Sequence, residues 1–381
     1  MSKRAIIIGG GVGGLCAAIA LRKIGIEATV YERAAMLGDV GAGLVVAANA
    51  IRSLQRLGLG EAAVTAGSKI SLAQIRTNAG AVLSATDMRN YETQFGAPTI
   101  AIHRAALHTV LLDALPAAQV KLGAACVRVE QDAEGVTAHF EDGSTDRAEM
   151  LIGADGVRSV IRRQLFPAVE LRYSGYTAWR GAVISDDEVA LGITSETWGR
   201  GHRFGIVRID AERVYWFATA NTLPGVTYPP DEQKELLLKI FGGWHHPIKH
   251  LLEATPAEVI LHNDIADFAP LRQWSVGRIT LLGDAAHATT PNMGQGACMA
   301  IESADVLAQC LSQTADVMAA FKAYELRRQP RTAFITNQSW QIGRVAQLEN
   351  PVMCAVRNFA VKTFSSVMLT RQLSKVLGAE P

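Results

Sequence analysis

Two glycine-rich turns, each entered from an apolar strand and left through a helix, constrain this chain more than anything else in it. The first is Gly9-x-Gly11-x-x-Gly14, between the apolar run 4–8 and a periodic apolar segment over 13–24 with Leu15, Ala18, Ile19 and Ile24. Gly25 ends that helix, and a second apolar run follows over 27–32. Strand, helix and strand in so short a span form a βαβ unit, which demands a parallel sheet and a right-handed crossover. Glycine permits the tight turn and lets a pyrophosphate approach the backbone, where a helix start offers free amides and the positive end of a dipole. Glu32 lies 18 residues after Gly14. A carboxylate at that strand end suits a ribose 2′-hydroxyl and repels a 2′-phosphate, which favours FAD or NAD over NADP.

The second turn lies far away, in Leu281-Leu282-Gly283-Asp284-Ala285-Ala286-His287 and Pro291-x-x-Gly294-Gln295-Gly296. Asp284 ends a strand over 278–282, where it can accept a hydrogen bond from a sugar hydroxyl. Pro291 fixes the loop, and the amides of Gly294, Gln295 and Gly296 fall at a helix start, suited to negative charge on a reduced ring. Two such turns so far apart point to one long cofactor gripped at both ends. His287 reads as a loop histidine satisfied by backbone. A third strand-to-loop segment, Gly153-Ala154-Asp155-Gly156-Val157-Arg158-Ser159, admits a plain reading in which Asp155 caps a helix or pairs with Arg158.

At 381 residues the chain is long enough for two domains. Its 37 basic and 36 acidic residues leave a net charge of +1, so no nucleic-acid partner is expected. The five cysteines are widely spaced, without CxxC pairs or clustered histidines, and read as buried thiols; no metal is expected. No apolar run reaches 18 residues, the first is too short for a signal segment, and a cytoplasmic protein without membrane contact is expected.

Along the chain, helices are expected over 45–57 and 103–115, strands over 119–129, 134–141 and 149–153, and β-rich runs over 176–184, 193–198, 203–210 and 213–220. Helices follow over 231–241, 247–253, 294–312, 316–345 and 351–375. The last carries apolar residues such as Val352, Met353, Val356 and Phe359, best read as a packing face. The fold expected is α/β: a discontinuous Rossmann-like dinucleotide domain over 1–70, 99–172 and 272–345, a mostly antiparallel β-sheet substrate domain over 71–98 and 173–271, and a C-terminal helix over 346–381.

Taken together, the first glycine turn with Glu32, Gly-Ala-Asp-Gly-x-Arg-Ser, and Gly-Asp-Ala-Ala-His with Pro-x-x-Gly-Gln-Gly resemble the single-component (group A) FAD-dependent aromatic hydroxylases. The likeness is greatest to the urate hydroxylase, zeaxanthin-epoxidase-like and salicylate hydroxylase branch, and covers nearly the whole chain. It implies an FAD-binding domain of the GR2 type and no separate NAD(P)H domain. It further implies that Gly9, Gly11 and Gly14 hold the pyrophosphate, Glu32 with the following Arg33 meets the adenosine ribose, and Arg104 meets the pyrophosphate region. Asp155 matches a motif linked to FAD and NAD(P)H, Asp284 a ribityl and pyrophosphate contact, and Gly41-Ala42-Gly43 the mobile loop beside the flavin ring.

The chemistry the resemblance implies is that NADH or NADPH reduces FAD, O₂ is captured as a C4a-hydroperoxide, and oxygen passes to an aromatic or heteroaromatic small molecule. Arg203 and Tyr215, on adjacent strands around a short loop, are the expected substrate contacts, the arginine neutralising an anion and the phenol orienting the ring. With Pro291 and Gly294 they form the expected catalytic set. Asn292 departs from the urate pattern, which carries an aspartate there; asparagine cannot take a proton. A monomer or homodimer is expected. The competing readings are an FAD-dependent oxidase or dehydrogenase, which needs neither Asp155 nor the Pro291–Gly296 segment, and an epoxidase of a lipophilic alkene.

Overall fold

A computed structural model of the chain describes residues 3–37, 43–184 and 189–379, without the side chains of 365–371. Ala5 to Ile8 are buried on both faces, as a continuous apolar run requires of a central parallel strand. Arg4–Ile8 pairs in parallel with Met150–Gly153 on one side and Glu27–Tyr31 on the other. Ile279–Leu281 and Val120–Lys121 extend the sheet in parallel, and Ser275–Val276 closes one edge as an antiparallel strand. The register aligns Ile8 with Tyr31 and Gly153, and Gly153 with Leu281. The strands therefore end side by side, so the loops at Gly9, Ala154 and Gly283 share one edge, the carboxyl edge where open α/β sheets bind ligands.

The second sheet has seven strands in the order Leu261–Asp267, Arg172–Ile184, Arg213–Asn221, His202–Arg208, Ile193–Trp198, Leu72–Thr77, Val82–Asp87. All its pairings are antiparallel except that between Ile193–Trp198 and Leu72–Thr77. Its two faces follow from the two-residue period of a strand. Trp179, Phe204, Trp216 and Ala218 pack against the Pro230–Phe241 and Ile248–Ala254 helices through Leu237, Phe241 and Leu251. Their sequence neighbours Ala178, Arg180, Arg203, Tyr215, Phe217 and Thr219 line a cavity on the opposite face.

The helix expected over 45–57 begins later. Gly43–Val46 is a strand paired with Ile100–His103, and only Ala48–Leu57 is helical. Adjacent branched valines at 45 and 46 favour extended backbone, and sheet partners decide the matter. The run 119–129 is likewise broken into Val120–Lys121 and Cys126–Gln131, with Gly123 between them at φ +69°. Strands Leu72–Thr77, Val82–Asp87 and Leu261–Asp267 are additions to the sequence reading. The closing helices are Gly296–Gln313, Val317–Ala346 and Pro351–Leu377, the last capped by Asn350, whose side chain accepts from the amides of Val352 and Met353. Among the described residues no helix is long and apolar enough to cross a membrane.

Candidate functional site

The three glycines of the first turn do different work. Gly9 has φ +112°, and a Cβ there would fall 2.3 Å from the carbonyl oxygen of Ala154. A Cβ on Gly14 would fall 1.9 Å from the oxygen of Gly9. Gly11 is different: nothing lies within 4 Å of the space its Cβ would fill. It lines a cavity of about 450 Å³ with Val12, Gly13, Arg104, Ala154, Gly156 and Asp284. Two glycines are thus required by the close approach of strand, helix and loop, and one leaves room for a ligand against its backbone.

Glu32 sits over this turn. Its Oε2 accepts from the Gly10 amide at 2.7 Å and its Oε1 from the Ala34 amide at 2.9 Å. Arg33 is exposed beside it. Arg104 opens the Arg104–Asp113 helix and reaches the cavity opposite Asp284. Asp284 is deep in the protein yet accessible from the cavity. Its surroundings push its carboxyl above the usual range, against the opposing charges of Arg104 and Arg162. Asp155 is placed otherwise. Its carboxylate accepts from Ser159 Oγ at 2.5 Å and from the amides of Val160 and Ile161 at 2.7 and 3.2 Å. It is spent on the start of the Val160–Leu165 helix, and its neighbours Ala154 and Gly156 line the cavity instead.

A second cavity, of about 290 Å³, shares Gly43, Leu44, Arg180, Asp284, Gly296 and Ala297 with the first, so the two are continuous. Pro291 and Gly294 line it; Gly294 has φ +61°, a conformation that glycine adopts freely. Gly296 is the first residue of its helix. Gln295 turns its side chain away, accepting from Asn49 Nδ2 at 3.0 Å. Gly43 lies against Tyr215, where a Cβ would come within 2.5 Å of the ring; Gly41 and Ala42 lie outside the described residues. Burial raises the Tyr215 phenol above its ordinary pKa, and Arg180 opposes this, so the group stays neutral at physiological pH.

Arg203 and Tyr215 both line this cavity, as expected, but the arginine is not a free cation. Arg203 is buried; it donates from Nε to Gln347 Oε1 at 2.8 Å, from Nη1 to Glu196 Oε1 at 3.0 Å and from Nη2 to Asn292 Oδ1 at 2.8 Å. Glu196 neutralises it. Asn292 Oδ1 also accepts from the Tyr176 hydroxyl at 3.1 Å, while Nδ2 donates to Thr290 Oγ1 and the Ser339 carbonyl. His287 is structural: its Nε2 lies 3.0 Å from Ser303 Oγ and its ring packs on Trp274. Its partner is a side chain where backbone was expected.

The sequence reading missed Glu196, Arg180 and Gln347 as members of this site. Arg180 had a signal, a charged residue in mid-strand beside Trp179. Glu196 reaches Arg203 from the neighbouring strand of the same hairpin, seven residues away, a pairing that depends on strand register; Gln347 reaches it from 144 residues away, and no local pattern marks it.

The lining suits FAD. Gly11 leaves the space a pyrophosphate needs, Arg104 faces it with positive charge, Asp284 sits midway, and the cavity runs on to the start of the Gly296–Gln313 helix. The family described as FAD binding domain matches residues 3–339. The chain belongs to this family. Over 361 residues it is 42% identical to aurachin C monooxygenase/isomerase of Stigmatella aurantiaca, covering 95% of this chain and 94% of that one. It is 32% identical over 369 residues to 2-heptyl-3-hydroxy-4(1H)-quinolone synthase of Pseudomonas aeruginosa, covering 94% and 93%. The structure of Klebsiella pneumoniae HpxO complexed with FAD and uric acid superposes with a TM-score of 0.94 at 29% identity, covering 100% of this chain and 97% of that one. This member of the FAD-binding family is a FAD-dependent monooxygenase, for which NAD(P)H is the typical reductant.

Proposed function

We propose that the protein hydroxylates a planar, uncharged heteroaromatic ring of the quinolone kind, held between the cavity face of the seven-stranded sheet and the Pro291–Gly294 turn. One observation carries this reading: the charge of Arg203 is already balanced by Glu196, so Arg203 offers the ring hydrogen bonds and not a free positive charge. A guanidinium has five N–H donors, more than the three acceptors found here, and the remainder suit a ring carbonyl. The arginine therefore does not act as the counter-ion first expected of it. The name of the heptylquinolone relative agrees with a ring of this class.

When bound, FAD supplies hydride acceptance from NAD(P)H and the activation of O₂. The chain's part is placement. Gly11, on the turn that Gly9 and Gly14 shape, would hold the pyrophosphate with Arg104; Glu32 and Arg33 would hold the adenosine end, and Asp284 the middle. The backbone at Gly294, Gln295 and Gly296 would hold the flavin ring at the helix start, in the cavity that Gly43 also lines. Tyr215 orients the substrate ring as a neutral phenol, Pro291 stiffens the facing turn, and Phe217 helps to exclude water. Asp155 contributes by fixing the 154–156 loop. The division of labour follows: 1–70, 99–172 and 272–345 bind the cofactor, 71–98 and 173–271 bind the substrate. Five buried free thiols suit a reducing cytoplasm.

The test is turnover of 4(1H)-quinolones under ¹⁸O₂ with NADH and NADPH, beside the anionic rings salicylate and 4-hydroxybenzoate. Quinolone product carrying one ¹⁸O is expected, with the anionic rings at least tenfold poorer in kcat/KM. Peroxide as the sole product across the panel overturns the reading.

A further inference from the structure

A third cavity, of about 300 Å³, leaves the ring site on the side away from the cofactor. It shares Val45, Glu196, Asn292 and Gly294 with the ring cavity, so a ligand in one can extend into the other. Its volume is at the lower end of small-molecule sites. Its walls come from segments distant in sequence: Ala73 and Ile75 on one strand, Met88 after the next, Met293 in the glycine turn, Ile342, and Leu373 near the end of the C-terminal helix. The lining is mainly apolar. Its charged member, Glu196, stands at the junction and is held there by Arg203 Nη1 at 3.0 Å and Trp198 Nε1 at 2.8 Å. The charged group thus stands where the cavities meet; beyond it the walls are mainly apolar, with Gln74, Ser84, Thr86, Thr99, Thr194 and Gln372 among them.

From this we infer that the third cavity is a channel for an unbranched apolar chain carried by the substrate ring, with the C-terminal helix as one wall. The occupant follows from continuity: a ligand whose ring is fixed at Asn292 and Arg203 has this mainly apolar cavity adjoining it, into which a hydrocarbon substituent can run. The heptyl group in the name of one relative's product is a chain of this kind. The placement of the ring end rests on the function proposed above; the channel itself does not. A wall built partly from the last turns of the Pro351–Leu377 helix also gives that helix a part in specificity, beyond packing.

The experiment uses the FAD-loaded enzyme and two kinds of probe. In the first, 2-alkyl-4(1H)-quinolones from methyl to heptyl are titrated against the flavin absorbance and assayed for turnover. Dissociation constants are expected to fall with each added methylene, by up to about fourfold at the usual transfer free energy of a buried CH₂. Leu373→Asp and Ala73→Phe, on different segments of the wall, flatten that gradient by at least tenfold between methyl and heptyl, while FAD content and turnover of the methyl compound persist. In the second, calorimetry with 1-nonanol tests the channel with no ring present. Binding to the wild type and its loss in Leu373→Asp are expected. Chain-length-independent affinity, or no binding of 1-nonanol to the wild type, overturns the channel. Chain-dependent binding without hydroxylation leaves the channel standing and overturns the ring assignment instead.

Discussion

One carbon atom separates the uses of the glycines in the first turn. Gly14→Ala drives a methyl group into the oxygen of Gly9, which is backbone and cannot move aside, so the expected result is a poorly folded protein. Gly11→Ala meets nothing within 4 Å, so the chain is expected to fold as before and to lose FAD affinity by at least tenfold. Thermal melting of the apoprotein and flavin titration separate the two; equal effects on both would refute the division. The pattern of glycines was plain in the sequence, but not which of them the fold needs and which the ligand needs, because that depends on how the chain closes up: the Ala154 carbonyl against Gly9 and the Gly9 carbonyl against Gly14. The same holds for Arg203. Its presence on the sheet was legible, whereas its pairing with Glu196 was not. Glu196→Gln removes the counter-charge and leaves a buried cation, which is costly unless a ligand supplies an anion. That variant is expected to lose stability and to gain at least tenfold in relative kcat/KM for salicylate over an uncharged quinolone. An unchanged ratio would show that Glu196 does not set the charge of the site.

Elements were most legible where apolar periodicity alone fixes them. The βαβ start, the aromatic strands and the long closing helices follow from spacing. Strands were lost where tertiary pairing decides. Leu261–Asp267 reads Leu-His-Asn-Asp-Ile-Ala-Asp and has no alternating apolar face, being an edge strand held by Arg172–Ile184. Val45 and Val46 were drawn into a helix because the strand that claims them, Ile100–His103, lies far along the chain. The C-terminal helix was legible as an element, but not its packing face: Val352, Met353, Val356 and Phe359 are exposed, and its attachments are made by other residues. Arg357 is buried and donates to the carbonyls of Ala346 and Gly199 at 2.9 and 3.0 Å, and Val376 and Leu377 are buried near the other end. Arg52 and Arg331 hold the carbonyls of Leu377 and Val376. Ending the chain at Asn350 removes all of these. Burial of two such side chains is worth about 3 kcal/mol, so a midpoint lower by several degrees is expected in thermal melts of the holoenzyme. A truncated protein with unchanged midpoint and turnover would rule out a packing role.

Taken whole, the molecule carries a buried polar seam behind the second cofactor-facing turn, and that seam makes the fold sensitive to acid. Glu302 lies at its centre, in contact with Arg328, Arg331 and Asn49. Burial alone would raise the Glu302 carboxyl, but the two arginines and Asn49 bring it down to about 2. Burial, aided by Arg328, pushes His287 down to about 3, and burial with Arg104 pushes His108 down to about 4. All three groups take up a proton more readily in the unfolded chain. Between the ordinary histidine value of about 6.5 and the depressed values, the unfolded state therefore binds more protons, and stability rises with pH. It is lost as pH falls through 6.5 toward 3 for the histidines, and from about 4.5 toward 2 for Glu302. For His287 alone the loss between pH 7 and pH 5 is about 2 kcal/mol. Urea unfolding of the wild type at the two pH values is expected to show at least that difference. His287→Asn, which keeps a polar side chain but cannot titrate, is expected to be less stable at pH 7 and to narrow the difference by about 2 kcal/mol. An identical pH dependence in the variant would mean that the seam is not what acid breaks.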